Sequence, residues 1–158
     1  MKTLVVVYSR TGNTLSVAKK IADELQADLE VIEDKTNRRG ILGFLRSGYE
    51  ALRKKIPSIA KPKHDPDDYE LVIIGTPIWA GRMSSPVRAY LLHFRGRFGK
   101  VAFFATSASG GHGKAFAEMA KIAAEPLTTV EITWEQIREG KVAEALKAFL
   151  ESIKSQKC

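Results

Sequence analysis

The 158-residue chain has a single cysteine, Cys158, at its last position, so no disulfide can form within it and stability must come from a packed core. The three histidines, His64, His93 and His112, have no metal-ligand spacing and no cysteine companions. No apolar run approaches the roughly 18 residues of a membrane span. The apolar stretch after Met1-Lys2-Thr3 ends at Tyr8, too short for the apolar region of a secretory signal. Internal repeats and low-complexity segments are also missing. A cytoplasmic protein without a membrane span is the expectation, and 158 residues with 44% hydrophobic content suit one domain, 1–158, around a well-buried core.

Charge is plentiful, and its placement says more than its total of +7. Segment 35–63 holds nine basic residues (Lys35, Arg38, Arg39, Arg46, Arg53, Lys54, Lys55, Lys61, Lys63) against Glu50 alone, a net of +8 that leaves −1 for the rest. A nearly neutral body with one basic segment argues for a local docking surface, weakened by salt, and against a nucleic-acid-wrapping protein.

Five candidate strands, 3–8, 29–33, 71–75, 101–105 and 128–132, alternate with helical patterns. Such alternation implies an α/β fold in which a parallel sheet has helices on both faces. The first, third and fourth strands are nearly continuous apolar runs, as expected where both faces are buried, and the more polar 128–132 suits an edge. Val17, Ala18, Ile21, Ala22 and Leu25 mark the apolar face of the first helix. Ser84 or Ser85 before Pro86 reads as the start of a helix reaching Phe94. Another helix is expected over 111–124, and Val142, Leu146, Phe149, Leu150 and Ile153 mark the last. The stretch 57–68, with Pro57, Pro62 and Pro66, reads as a surface loop.

In open parallel sheets ligands bind beyond the carboxyl ends of the strands. After the first strand comes Ser9-Arg10-Thr11-Gly12-Asn13-Thr14, where a hydroxyl-rich turn opens a helix. Unpaired backbone N–H groups and the positive end of the helix dipole meet there, with no carboxylate to repel a dianion, so the turn is suited to hold a phosphate. After the third strand comes Thr76-Pro77-Ile78-Trp79-Ala80-Gly81, and after the fourth Thr106-Ser107-Ala108-Ser109-Gly110-Gly111. An anion cradle, an aromatic plate and a loop of small side chains thus share one end of the sheet.

With Ser-x-Thr-Gly-Asn-Thr after a first strand, Thr-Pro-x-x-x-Gly after a third, and this element order over nearly its whole length, the chain resembles the flavodoxin-like proteins. The resemblance implies a doubly wound sandwich with a five-stranded parallel sheet in the order 2-1-3-4-5, and flavin mononucleotide (FMN) as cofactor. It implies that Ser9, Arg10, Thr11, Gly12, Asn13 and Thr14 hold the phosphate. Pro77, Ile78, Trp79, Ala80, Gly81, Thr106, Ser107, Ala108, Ser109, Gly110 and Gly111 would flank the isoalloxazine ring, with Trp79 stacked on it. Trp134, after the fifth strand, reads as packing.

The sequence departs from the electron-transfer flavodoxins at two points. Arg82 follows Gly81 where those proteins tend to place an acidic residue, and its charge would favour an anionic reduced flavin. The third loop lacks an aromatic second plate, which would leave one ring face open to nicotinamide or a quinone, as in the flavodoxin-like quinone reductases. His112 beside that loop could then assist a proton transfer.

Other signals fail. Gly113-Lys114 would need glycine at Ala108 and serine or threonine at Ala115 to make a P-loop. A receiver domain would need clustered acidic residues by the first strand and an aspartate ending the third, where Ser9 and Thr76 stand. The basic stretch 41–56 carries Leu45, Tyr49 and Leu52 on one helical stripe. It could lie on an anionic membrane or dock an acidic partner; the preferred reading is the crossover helix with that stripe on the sheet and its charges in water, its basic face available to an acidic redox partner protein docking near 35–63. The reading favoured is an FMN-binding electron-transfer protein. An NAD(P)H-dependent quinone or flavin reductase is one alternative; a flavin-free module docking through its basic helix is the other.

Overall fold

The computed structural model describes residues 1–156; Cys158 and its thiol lie outside the described residues. In chain order the elements are β1 (Thr3–Val7), α1 (Asn13–Leu25), β2 (Asp28–Val31), α2 (Gly40–Leu52), a 3₁₀ turn (Pro66–Asp68), β3 (Leu71–Trp79), β4 (Arg82–Met83), α3 (Ser85–His93), β5 (Lys100–Ser107), α4 (Gly113–Ile122), β6 (Thr129–Thr133), α5 (Trp134–Arg138) and α6 (Val142–Ser155). Five strands pair in parallel in the order β2-β1-β3-β5-β6, and β4 pairs antiparallel with β3. Counting the parallel strands alone gives the expected 2-1-3-4-5 order, with the polar β6 at an edge.

Side chains alternate along the central strands, so each strand feeds two cores. Leu4, Val6, Val72, Ile74, Val101 and Phe103 pack against Tyr90 and Leu91 of α3 and Met119 of α4. Val5, Val7, Leu71, Ile73, Ala102 and Phe104 face Val17 and Ile21 of α1 and Leu146, Phe149 and Ile153 of α6. The register sets Gly75 directly opposite Phe104. A Cβ on Gly75 would stand 2.0 Å from the Phe104 ring, so glycine is what lets that ring lie across the strand.

Two elements depart from the expectation. β3 runs to Trp79 instead of ending at 75, because Ala80 and Gly81, both at positive φ (51° and 77°), form a two-residue hairpin turn that pairs Ile78 with Met83 and Trp79 with Arg82. The larger difference is α2. Leu45, Tyr49 and Leu52, expected on the sheet, point to solvent, while Gly43, Ser47, Glu50 and Ala51 are buried.

The cause is electrostatic. Arg38, just before the helix, is buried and must be compensated. It bonds the Asp34 carboxylate, pairs with Glu50 Oε2 at 2.5 Å, and donates to Ser85 Oγ at 3.2 Å and Ser47 Oγ at 3.4 Å. Glu50 and Ser47 can reach that guanidinium only if their side of α2 faces inward. The small side chains at Gly43, Ser47 and Ala51 then allow close approach; a Cβ on Gly43 would stand 2.1 Å from the Arg38 carbonyl carbon.

Candidate functional site

β1 delivers the 9–14 turn to the carboxyl end of the sheet. Gly12, at φ 100°, is the N-cap of α1, and no side chain caps that helix or adds an acid to its first turn. The first-turn N–H groups are therefore free of side-chain acceptors and point outward. Ser9 Oγ accepts from the Gly12 N–H at 3.0 Å, which fixes the turn. Arg10 donates to the Arg38 carbonyl at 3.3 Å and lays its guanidinium 5.6 Å from the centre of the Phe44 ring. Thr14 is buried, its hydroxyl 2.8 Å from that of Thr106, so the first and third loops are tied together.

In the second loop Thr76 Oγ1 accepts from the Ser84 N–H at 2.9 Å, holding α3 close to the strand end. Trp79 is only 8% exposed. Tyr8 meets its ring edge-on at 5.5 Å, and the Arg38 guanidinium lies 5.0 Å from its centre. In the third loop Ser107 Oγ donates to Glu131 Oε1 at 2.5 Å and accepts from the Gly110 N–H at 2.9 Å. His112 sets its Nδ1 against the other Glu131 oxygen and its ring 4.9 Å from Phe116.

These loops enclose a cavity of about 310 Å³, within the range of small-molecule sites. Of the residues expected from sequence, Arg10, Thr11, Asn13, Thr14, Pro77, Ile78, Trp79, Ala80, Thr106 and Ala108 line it. Ser9 faces an adjoining groove shared with Arg10, Thr11, Arg38, Arg39 and Asp34, whose carboxylate is bonded to Arg38. Gly12, Gly81, Ser107, Ser109, Gly110 and Gly111 stand outside the cavity wall. Ser107 is spent on Glu131, and Gly110 and Gly111, at φ 96° and 106°, shape the turn that carries Ala108.

The cavity also has walls that sequence reasoning missed: Phe44, Leu45, Ser47 and Gly48 from α2, and Trp134. Trp134 was expected to pack, yet it is 43% exposed. The register pairs Ser107 with Thr133, so the residue after β6 arrives at the same end of the sheet as the third loop. A capping box between Thr133 and Gln136 starts α5 there, with Trp134 as its first residue. The loop after the fifth strand was the overlooked signal. Phe44 and Leu45 were missed because the apolar stripe of α2 was assigned to the sheet.

Arg82 is not an isolated cation. Its Nη1 lies 2.5 Å from Glu118 Oε1, and Arg88 bonds the other oxygen of the same carboxylate. Burial works to raise the Glu118 carboxyl, but hydrogen bonds from Arg88 and Arg82 outweigh it and hold the group below the ordinary glutamate range. Tyr8 is pushed up to about 12 by burial and by Asp34, so it stays a neutral phenol. No residue lining the cavity is a carboxylate. The arrangement combines an open helix N-terminus, suited to an anion, with a mostly aromatic and aliphatic chamber suited to a flat apolar group.

Known proteins resemble the chain in sequence and in fold. An NAD(P)H dehydrogenase (quinone) of Archaeoglobus fulgidus is 31% identical over 122 residues, covering 70% of this chain; the chain spans 63% of that protein's length. The FMN complex of a flavoprotein from Lactobacillus acidophilus superposes with a TM-score of 0.69 at 23% identity, covering 90% of this chain and 98% of that one. Oxidised Flavodoxin 2 from Bacillus cereus superposes at 0.62 with 19% identity, covering 99% of each chain. At these identities the two solved structures speak to fold alone. A flavodoxin family model matches residues 2–153, nearly the whole sequence, and the chain belongs to the flavodoxin family.

Proposed function

We propose that this protein binds FMN in the 310 Å³ cavity and serves as an electron-transfer flavoprotein. The observation that carries the reading is the pairing, across one cavity, of the uncapped α1 N-terminus with a chamber walled by Trp79, Trp134 and Phe44. The residues fit the group. Backbone N–H groups of the 9–14 turn, with the side chains of Thr11 and Asn13, would hold the phosphate, and no carboxylate in the lining opposes it.

Pro77, Ile78, Trp79, Ala80, Thr106 and Ala108 would bound the ring. With Trp79 covered by Arg38 and Tyr8, the more exposed indole of Trp134 is the freer aromatic surface for it. Gly12, Gly81, Ser107, Ser109, Gly110 and Gly111 set the loop shapes, and Ser9 braces the turn. When bound, FMN supplies one- and two-electron redox chemistry, while the protein binds it, orients it and excludes water.

An NAD(P)H-dependent quinone reductase is the second reading, favoured by the name of the Archaeoglobus fulgidus relative. A cytoplasmic setting accords with a chain that permits no intrachain disulfide. An acidic redox partner at 35–63 would find basic side chains there, though they share the surface with protruding aliphatics that charge alone does not explain.

The test is reconstitution of the purified chain with FMN. A yellow complex is expected, and the double variant Thr11→Ala, Asn13→Ala should come out colourless. A variant as yellow as the parent would remove the phosphate assignment, and a parent that takes up no FMN would end the flavin reading. Steady oxidation of NADH or NADPH with a quinone acceptor would select the reductase.

A further inference from the structure

The outward face of α2 is built from side chains that a water-facing helix would not carry. Among the described residues, seven of the nine exposed large hydrophobics fall between 41 and 56: Ile41, Leu42, Phe44, Leu45, Tyr49, Leu52 and Ile56, each 55–82% exposed. Helical spacing sets Ile41, Leu45 and Leu52 opposite the buried Gly43, Ser47, Glu50 and Ala51. Arg46 and Arg53, seven residues apart, run along one side of this stripe, and Lys54 and Lys55 follow its end. The one carboxylate of segment 35–63, Glu50, is turned inward onto Arg38 and Arg46, so the segment presents apolar side chains and cations with no unpaired carboxylate of its own. Beside the helix, Lys35, Arg46, Tyr49, Glu50, Lys55 and Ile56 line an open groove whose one carboxylate is already paired with Arg38 and Arg46, which leaves Lys35 and Lys55 for an anionic headgroup.

The charge decides among occupants. A second copy docked face to face would set Arg46, Arg53, Lys54 and Lys55 against the same four cations. Ile41 and Leu42, 79% and 82% exposed, stand out from the surface and do not line a concavity, which suits a fluid layer they can sink into better than a rigid protein partner. A basic amphipathic helix of this kind lies in a lipid interface, its apolar side chains below the headgroups and its cations among the phosphates.

We propose that α2 rests on an anionic lipid surface, with Ile41, Leu42, Leu45 and Leu52 inserted and Arg46, Arg53, Lys54 and Lys55 on the headgroups. Phe44 and Leu45 belong both to this side of the protein and to the cavity wall. If the proposed function holds, a redox partner dissolved in the bilayer, such as a lipid-soluble quinone, reaches the cavity without crossing water.

The test is vesicle flotation of the full chain, a readout that does not require FMN and so fails separately from flavin binding. Vesicles of phosphatidylcholine alone should leave the protein behind. Vesicles containing phosphatidylglycerol should carry it up, with affinity falling as salt rises. Reversing Arg53 or Lys54 to glutamate should weaken binding by about fivefold or more per residue, and Ile41→Glu with Leu42→Glu by tenfold or more. All four sites are exposed, so circular dichroism should show an unchanged fold. Absence of flotation on phosphatidylglycerol overturns the proposal. So does equal flotation of the Ile41→Glu, Leu42→Glu protein, which would mean simple adsorption of a basic protein. A dimer in sedimentation equilibrium that this double variant disperses assigns the face to a second copy instead. Salt-labile retention on polyglutamate without flotation assigns it to an acidic protein.

Discussion

Arg38 lays its guanidinium over the ring of Trp79, 5.0 Å from its centre, while bonding Asp34, Glu50, Ser47 and Ser85 around its edge. One buried side chain thus joins the β2–α2 connection, α2, the start of α3 and the indole in the cavity wall. Replacing it by methionine would retain much of the packing but leave the Asp34 carboxylate without a cation and Glu50 with Arg46 alone. Breaking a buried ion pair in this way costs about 3–5 kcal/mol. Urea unfolding of Arg38→Met should show a loss of that order, and a loss below about 1 kcal/mol would place the network's role elsewhere.

The same network sets a dependence on pH. Burial works to raise the Glu50 carboxyl, but hydrogen bonds from Arg38 and Arg46 prevail and hold it below its ordinary value of 4.5. Glu118 is lowered in the same sense by Arg88 and Arg82. A carboxyl depressed in the folded state contributes stability that is present above its unfolded value and lost as the pH falls through its folded value. Stability should therefore decline as the pH drops from 4.5 downward, and Glu50→Gln, already without the charge, should show a shallower decline. Parallel curves for parent and variant in urea titrations across that range would refute the assignment.

The sheet was legible because its signal is dense. Apolar runs such as Leu4-Val5-Val6-Val7 and Leu71-Val72-Ile73-Ile74 read as strands buried on both faces, and they are. The three loops were legible for the same topological reason: all follow parallel strands and so arrive at one end. What stayed hidden were the contributions that depend on a long-range charge balance. Periodicity placed Leu45 and Tyr49 on a stripe, but only the burial of Arg38 decides which side of α2 faces in. Trp134 was hidden by a register, since nothing local tells that Thr133 lies beside Ser107.

Ala80 carries a conformation that its side chain resists. A two-residue turn of this hand needs positive φ at both central positions, and a left-handed alanine costs roughly 1–2 kcal/mol. Ala80 is exposed, so removal of its methyl group forfeits little packing. Ala80→Gly should stabilise the protein by about 0.5–1 kcal/mol after glycine's larger unfolded-state entropy is counted. At this chain length that corresponds to a rise in Tm of about 1–4 °C, readable in a calorimetric scan; an unchanged or lower Tm would mean that the turn relaxes.

The two tryptophans divide the cavity wall between a sealed indole and an open one, and emission can separate them. Trp79 is 8% exposed and enclosed by Tyr8 and Arg38, whereas Trp134 is 43% exposed at the rim. In Trp79→Phe the remaining Trp134 should emit at longer wavelength and be strongly quenched by acrylamide; in Trp134→Phe the remaining Trp79 should be blue-shifted and protected. If the cavity takes FMN against the freer indole, adding FMN should quench both variants and shield Trp134 from acrylamide. Trp134→Phe should weaken binding less than Trp134→Ala, since phenylalanine retains a ring for stacking and alanine does not. Trp134 emission that stays open to acrylamide while Trp79 emission is lost would move the ring to the Trp79 side of the cavity.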